Sequence, residues 1–292
     1  MTEQVSVGFV GMGRMGTPMA CRVAEAGFPL TVWNRSTERC DPLASLGANV
    51  ADTPKELAER SEVVVTMVAD ADALRAILDG DDGLLAGLRP DGIVVDTSTI
   101  GPTAAVEFAQ AVSECGAHWI DAPVSGSTAL AEKGELALMI GGEPSAIARA
   151  RPVLDAISAK QFYLGGAGTG AAMKLAVNSA IAVFNEAIAE GLVLAEEAGI
   201  EREAAYDVFA GGALAAPYVL YKRNAFVQPE ETPVAFTVSL MRKDLELARR
   251  LADDLGVEMK ATQAADDVLA RACDLGLGDA DFASVARVIR DR

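Results

Sequence analysis

Ser6-Val7-Gly8-Phe9-Val10-Gly11-Met12-Gly13-Arg14-Met15-Gly16 is the stretch on which the fold turns. An apolar run of strand length ends in G-x-G-x-x-G, and a helix-like segment, residues 14–26, opens directly on it. In that context each glycine has a physical reason. The first permits a tight turn, the second lets a pyrophosphate approach the backbone, and the third lets helix and strand pack closely. Backbone N–H groups at the helix start then face the phosphates. A glycine turn without a ligand is the plain alternative.

Outward from this motif, apolar runs of strand length fall at residues 30–33, 63–68 and 93–95, with later ones at 118–120 and 136–140; the first strand covers residues 5–10. Helix-like stretches at 54–60, 71–78, 102–113 and 144–157 alternate with them. Several strands lack in/out alternation, as a parallel sheet covered on both faces requires. The pattern changes at Gly165-Gly166-Ala167-Gly168-Thr169-Gly170. Beyond it the strand signal nearly vanishes. Helices are expected at about 171–198 with Gly199 as stop, at 203–209, 240–255 and 262–275, and after Asp281. The expected architecture is α/β: an amino-terminal Rossmann-type doubly wound sheet, 1–165, followed by an all-helical domain, 166–292, for substrate and dimerisation.

Composition narrows the function. With 292 residues, 25 Lys+Arg and 42 Asp+Glu, the formal charge is −17. That argues against nucleic acid, which needs a basic face, and against anionic membrane surfaces. An anionic substrate needs local positive charge at its own site. Four scattered cysteines and one histidine, His118, argue against a Cys/His zinc site, so no metal is expected. His118 lies in a strand pattern and reads as structural, with a pH-active group as the alternative. The amino terminus lacks a basic n-region and does not read as a signal peptide. The apolar stretch 175–185, bounded by Lys174 and Glu186, is too short to span a bilayer and reads as a buried helix. The expected address is the cytoplasm.

The end of the second strand should select between the nicotinamide cofactors. An acid there would hold the ribose 2′-OH of NAD, but the residues are Val32-Trp33-Asn34-Arg35-Ser36. Arg35 can pair with a 2′-phosphate, and Asn34 and Ser36 can add donors. NADP is therefore favoured, with NAD as the alternative; a solvated arginine is the plain reading.

Phe9-Val10-Gly11-Met12-Gly13-Arg14-Met15-Gly16-Thr17-Pro18-Met19-Ala20 closely resembles the amino-terminal signature of the β-hydroxyacid dehydrogenase family, which is related to 6-phosphogluconate dehydrogenase. Four later segments extend the resemblance over essentially the whole chain: Asp96-Thr97-Ser98-Thr99-Ile100, Asp121-Ala122-Pro123-Val124-Ser125-Gly126, the segment from Gly168 to Asn178, and Lys243-Asp244-Leu245. The resemblance implies hydride transfer between NADP(H) and a small carboxylate-bearing β- or γ-hydroxyacid or semialdehyde. It assigns cofactor contacts to Gly11, Met12, Gly13, Arg14, Met15, Gly16, Asn34, Arg35, Ser36, Met67, Val68, Thr99 and Lys243. Substrate contacts fall to Ser125, Gly126 and Ser127, and catalysis to Lys174 and Asn178. A homodimer or homotetramer is expected, because the helix carrying Lys174 is apolar over most of its surface.

Lys174 and Asn178 are four apart and share one helix face. A snorkelling lysine is the plain reading of the first. As general acid/base, its ammonium would protonate the carbonyl oxygen in reduction and its amine would take the hydroxyl proton in oxidation. Free lysine titrates near ~10.4, so base duty at neutral pH requires a lowered value. Ser125-Gly126 follows a strand and a proline, where a hydroxyl and backbone N–H groups can meet a carboxylate, although a structural turn would look alike. Ser127, Ala129 and Leu130 depart from the smaller or glycine residues common in the family, and the side chains at 127 and 130 are expected to reshape the acid pocket. Two rivals share the cofactor half: an imine reductase, a class that generally lacks a lysine at the position of Lys174, and a non-catalytic NADP-binding or chromatin-type interaction module.

Overall fold

The computed structural model describes residues 4–290. Its chain divides into two compact units, the first ending at Lys174 and the second beginning at Leu175.

The first unit is built on one sheet. Its strands are β1 (Val7–Val10), β2 (Leu30–Trp33), β3 (Asn49–Val50), β4 (Val63–Thr66), β5 (Ile93–Asp96), β6 (His118–Asp121), β7 (Val124–Ser125), β8 (Leu136–Gly142) and β9 (Ser158–Gly165). Between them run α1 (Gly16–Glu25), α2 (Asp41–Ser45), α3 (Pro54–Glu59), α4 (Ala71–Leu78), α5 (Leu84–Gly87), α6 (Pro102–Glu114), α7 (Thr128–Lys133) and α8 (Pro144–Ile157). The strand order β3-β2-β1-β4-β5-β6 is parallel throughout and reverses direction of travel between β1 and β4. That reversal is where an open α/β sheet leaves a crevice for a ligand. β8 runs antiparallel to β6 and β7, and β9 pairs parallel with β8.

β1, β4 and β5 are buried at every position. Alternate residues serve opposite layers: Val63, Val65, Ile93 and Val95 pack with α1 and α8, whereas Val64 and Val94 pack with α3, α4 and α6. Burial on both faces explains why these strands carry no alternation in the sequence. β3, β7 and β9 escaped the sequence reading. The first two have two residues each. In β9 most positions are exposed, Phe162 and Tyr163 included, so its side chains carry no core-facing period. His118 lies at the start of β6 with Nε2 3.7 Å from Asp91 Oδ1.

The remaining elements are helical: α9 (Thr169–Glu197), α10 (Arg202–Gly211), α11 (Pro217–Val227), α12 (Val238–Leu255), α13 (Lys260–Asp274) and α14 (Val285–Arg290). α11 was not expected from the sequence; its apolar residues are spread around the helix rather than along one stripe. α9 is longer than the apolar stretch suggests, with 29 residues, and is long and apolar enough by composition to cross a membrane. Its Ala182, Ile188, Ala189 and Leu192 are instead buried in the core of the second unit. At the heart of that core Lys222 Nζ lies 2.6 and 2.7 Å from the two Asp281 carboxylate oxygens.

Candidate active site

The glycine loop is shaped by what its neighbours leave room for. Gly11 has φ +99°, and a Cβ there would lie 2.2 Å from the Met67 carbonyl oxygen. A Cβ on Gly16 would lie 1.9 Å from the Gly11 carbonyl oxygen. Gly13 differs: among the described residues, no atom beyond its chain neighbours lies within 4 Å of the corresponding point. Two glycines thus close the turn, and the middle one leaves the backbone open on the side where a pyrophosphate approaches. Met67 and Val68, just past β4, form the wall against Gly11.

Asn34, at the end of β2, braces this loop. Its Oδ1 accepts from Met12 N at 2.9 Å, and its Nδ2 donates to the Ser36 carbonyl at 2.9 Å. The carboxamide therefore joins β2 to the loop. Arg35 is exposed beside it, and Arg39, also exposed, follows in the short 3-10 turn Thr37–Cys40. No acid occupies positions 34–36. An open Gly13 beside the end of β2 fits a dinucleotide cofactor.

The end of β5 is a hydroxyl-lined turn. Asp96, fully buried, accepts from Thr66 Oγ1 and Ser98 Oγ, both at 2.7 Å. Ser98 Oγ in turn accepts from Val68 N at 2.9 Å, which ties the β4 and β5 loops together next to Thr99. Burial pushes the Asp96 carboxyl up to about 6, against the pull of these donors, and the neighbouring Asp121 adds to the rise. Asp121 is its register partner on β6.

Asp121 itself is 1% exposed and reaches past the sheet to the start of α9. Its Oδ1 accepts from Gly168 N at 2.8 Å and its Oδ2 from Ala171 N at 2.9 Å. Burial raises its carboxyl above the ordinary range, while the backbone donors pull it down. Neither Asp96 nor Asp121 was singled out in the sequence as a functional residue. The signal was a charged residue ending an apolar strand, which reads equally well as a loop position.

Ser125 is half-buried on β7, paired with Ala137 of β8. Gly126 has φ +140°, which favours glycine, and a Cβ there would meet Leu136 Cδ2 at 2.8 Å. Ser127 is the residue before α7, with φ −85°, so its backbone makes no demand for glycine. Leu130 packs against Gly126 and the core of the first unit. Lys174 lies half-buried on α9, at the end of the first unit. A cavity of about 590 Å³ is lined by Asp91, His118, Trp119, Tyr163, Gly166 and Ala167 among others, and none of the candidates Ser125, Ser127 and Lys174 lines it.

The second unit holds a polar cluster of its own. Asn178, 4% exposed, donates from Nδ2 to Asp244 Oδ2 at 2.6 Å. Asp244 is 1% exposed, and Lys243 Nζ lies 3.1 Å from its Oδ1. α9 and α12 thus meet through a polar contact inside an apolar core. The sequence reading had Asn178 and Lys243 but took Asp244 as part of a motif without a role.

Two family profiles cover nearly all of the chain. The NAD-binding domain of 6-phosphogluconate dehydrogenase matches residues 6–165, and the NAD-binding domain of NADP-dependent 3-hydroxyisobutyrate dehydrogenase matches residues 168–289. The chain belongs to the β-hydroxyacid dehydrogenase family. Glyoxylate/succinic semialdehyde reductase 2, chloroplastic, of Arabidopsis thaliana is 34% identical over 98% of this chain and 80% of its own length. The crystal structure of 3-hydroxyisobutyrate dehydrogenase from Salmonella typhimurium superposes with a TM-score of 0.90 at 29% identity, covering 98% of this chain and 100% of that one. The cytokine-like nuclear factor N-PAC of Homo sapiens is 32% identical over 96% of this chain, which spans 51% of that relative's length. Membership carries an NAD(P)-dependent hydroxyacid or semialdehyde dehydrogenase activity as the family's common chemistry, with a nicotinamide cofactor and a small substrate.

Proposed function

We propose that this protein is an NADP-preferring reductase and dehydrogenase of a small β- or γ-hydroxyacid and its semialdehyde, with Lys174 as the general acid/base. The observation that carries the reading is the face of α9 on which Lys174 and Asn178 stand one turn apart, with the Asn178 amide fixed on Asp244. Gly11 to Gly16, Met67, Val68 and Thr99 would hold the dinucleotide, and Arg35, with Arg39 four residues on, would take the 2′-phosphate. Bound NADPH would supply the hydride. As negative charge develops on the carbonyl oxygen, the Lys174 ammonium donates its proton there; in the oxidative direction the neutral amine accepts the hydroxyl proton. With Nδ2 committed to Asp244, the Oδ1 end of Asn178 is an acceptor for an ammonium or a hydroxyl. Ser125 and the backbone around Gly126 and Ser127 would receive the carboxylate, and Lys243 would be a cofactor contact.

A panel of aldehyde acids with NADPH tests this reading, with glyoxylate and succinic semialdehyde included because the plant relative is named for them. NADPH oxidation by at least one member is expected. NADPH binding without turnover of any would favour the non-catalytic module, and reduction of a cyclic imine in preference to the aldehydes would favour an imine reductase. The protein would act in the cytoplasm as a homodimer or homotetramer. Leu194, Val208 and Leu220 are 73%, 70% and 59% exposed on α9, α10 and α11, apolar side chains that a second copy would cover. Light scattering at micromolar concentration should report at least twice the 30.3 kDa chain mass, and a monomer would sink the assembly.

A further inference from the structure

Asp121 sits in a socket walled by glycines. A Cβ on Gly141 would lie 2.8 Å from each of its carboxylate oxygens. One on Gly170 would lie 2.9 Å from Oδ2, 2.7 Å from the Asp121 carbonyl and 2.2 Å from that of Met139. Gly168, which donates one of the two N–H groups, has φ +89°. Any side chain at 141 or 170 would displace the carboxylate or the start of the helix. The first N–H groups of a helix have no partner within it, and the dipole there favours a negative charge. Asp121 answers both needs from a strand 47 and 50 residues earlier in the chain. Lys174 follows Ala171 by three residues, about 4.5 Å along the axis of the same helix.

We propose that Asp121 is a positioning residue for the reaction: its carboxylate fixes the start of α9 on the end of β6 and thereby fixes where the Lys174 ammonium stands. The proposal rests on Lys174 being the proton donor. A misplacement of about 1 Å at a reacting group can cost roughly 10²-fold in rate, so a backbone clamp that touches no substrate still governs turnover.

Asp121→Asn tests it. The carboxamide keeps the shape but has one acceptor oxygen, and its NH2 then opposes one of the two backbone N–H groups. On the aldehyde acid that the panel identifies, kcat should fall about 10- to 100-fold, while NADPH Kd, read by fluorescence, stays within about threefold. In the cofactor-free protein, amide exchange over residues 168–175 should quicken at least about tenfold. Thr53→Ala serves as control, because Thr53 Oγ1 caps α3 by accepting from Glu56 N at 3.1 Å in the same unit. It should leave kcat unchanged. Quickened exchange in Asp121→Asn with kcat within twofold of the wild type would overturn the proposal, and so would an equal loss of kcat in Thr53→Ala. If Asp121→Asn fails to fold, Gly141→Ala pushes on the carboxylate and on the Gly166 carbonyl, which the added Cβ would meet at 2.7 Å, without removing either and is read in the same way; an unchanged kcat there overturns the clamp. Lys174→Ala is measured alongside. Normal turnover in that variant removes the lysine reading itself, whereas an inactive Lys174→Ala beside a normal Asp121→Asn removes the clamp alone.

Discussion

Lys222 on α11 is 2% exposed, held between the two oxygens of Asp281, with its Nζ 4.5 Å from the centroid of the Phe282 ring. Lys174 on α9 is half-buried. Of the two, Lys222 is the more deeply buried, and its counter-ion is fixed within the second unit. Asp281 also accepts from the backbone N–H groups of Ala235 and Ala283, so the counter-ion is held as firmly as the ammonium. Burial pulls the Lys222 ammonium below its ordinary range, and Asp281 pushes back. A buried lysine with a fixed internal partner is a staple, whereas a half-buried lysine keeps solvent contact through which a proton can be exchanged.

The first way to break this contrast is Lys174→Ala. Positioned acid–base groups contribute about 10²–10⁴-fold, and removing the ammonium also removes stabilisation of the developing alkoxide. kcat should fall by that factor while NADPH affinity, measured by fluorescence, stays near the wild type. Lys174→Arg should not restore it, because a guanidinium keeps its proton at any working pH. Near-normal turnover in Lys174→Ala would leave the half-buried lysine as ordinary as any surface charge.

Lys222→Met should show the opposite profile. The methionine keeps apolar volume but leaves Asp281 buried without its cation, and breaking one side of such a pair typically costs about 3–5 kcal/mol. Urea unfolding should detect that loss, while kcat per folded molecule stays the same. A variant of normal stability with lost turnover would move Lys222 from staple to catalyst.

The same contrast marks what the sequence could disclose. The glycine loop, β1, β2, β4, β5, β6 and α8 were legible because their signals are local: turn chemistry, continuous apolar runs and a proline at a helix start. Lys174 and Asn178 were legible as a polar pair within an apolar helix. Lys222 was not, since its partner lies 59 residues away and Tyr221-Lys222-Arg223 reads as a solvated run. Asp121 and Asp244 were illegible as functional residues for the same reason. Each is defined by a contact, with Gly168 and Ala171 or with Asn178, that no spacing along the chain encodes. Asn34 was legible in place but not in task, because its bond to Met12 N exists only once β2 lies beside β1.

Arg35 extends the comparison to a charge presented at the surface. Arg35→Asp replaces attraction at the 2′-phosphate by repulsion. Hydrogen bonds to charged groups contribute about 1.5–3 kcal/mol, so the ratio of kcat/KM for NADPH over NADH should fall by roughly 10- to 100-fold. Steady-state kinetics with both cofactors measures it. A wild type that already uses NADH better than NADPH would overturn the assignment.

Asp96 is wholly buried like Lys222, yet incompletely answered. Its Oδ1 accepts from Thr66 and Ser98, while Oδ2 is buried without a hydrogen-bond partner among the described residues. Its folded-state carboxyl titrates at about 6 against an ordinary value of 3.8, so the fold holds the proton more tightly than the unfolded chain does. Below the ordinary value both states are protonated and Asp96 costs nothing; as pH rises through the interval up to about 6, the unfolded state ionises first and stability is lost. Asp96→Asn removes the ionisation and can still accept from Thr66 and Ser98. It should therefore match the wild type at pH 3.5 and exceed it by about 1 kcal/mol at pH 8, less than the roughly 3 kcal/mol that a shift of about two units sets as the ceiling. Thermal or urea unfolding across that range, compared between the two proteins, reads the difference directly. A gap that stays constant with pH, or that closes as pH rises, would mean that Asp96 is satisfied in its charged form and belongs with the staples.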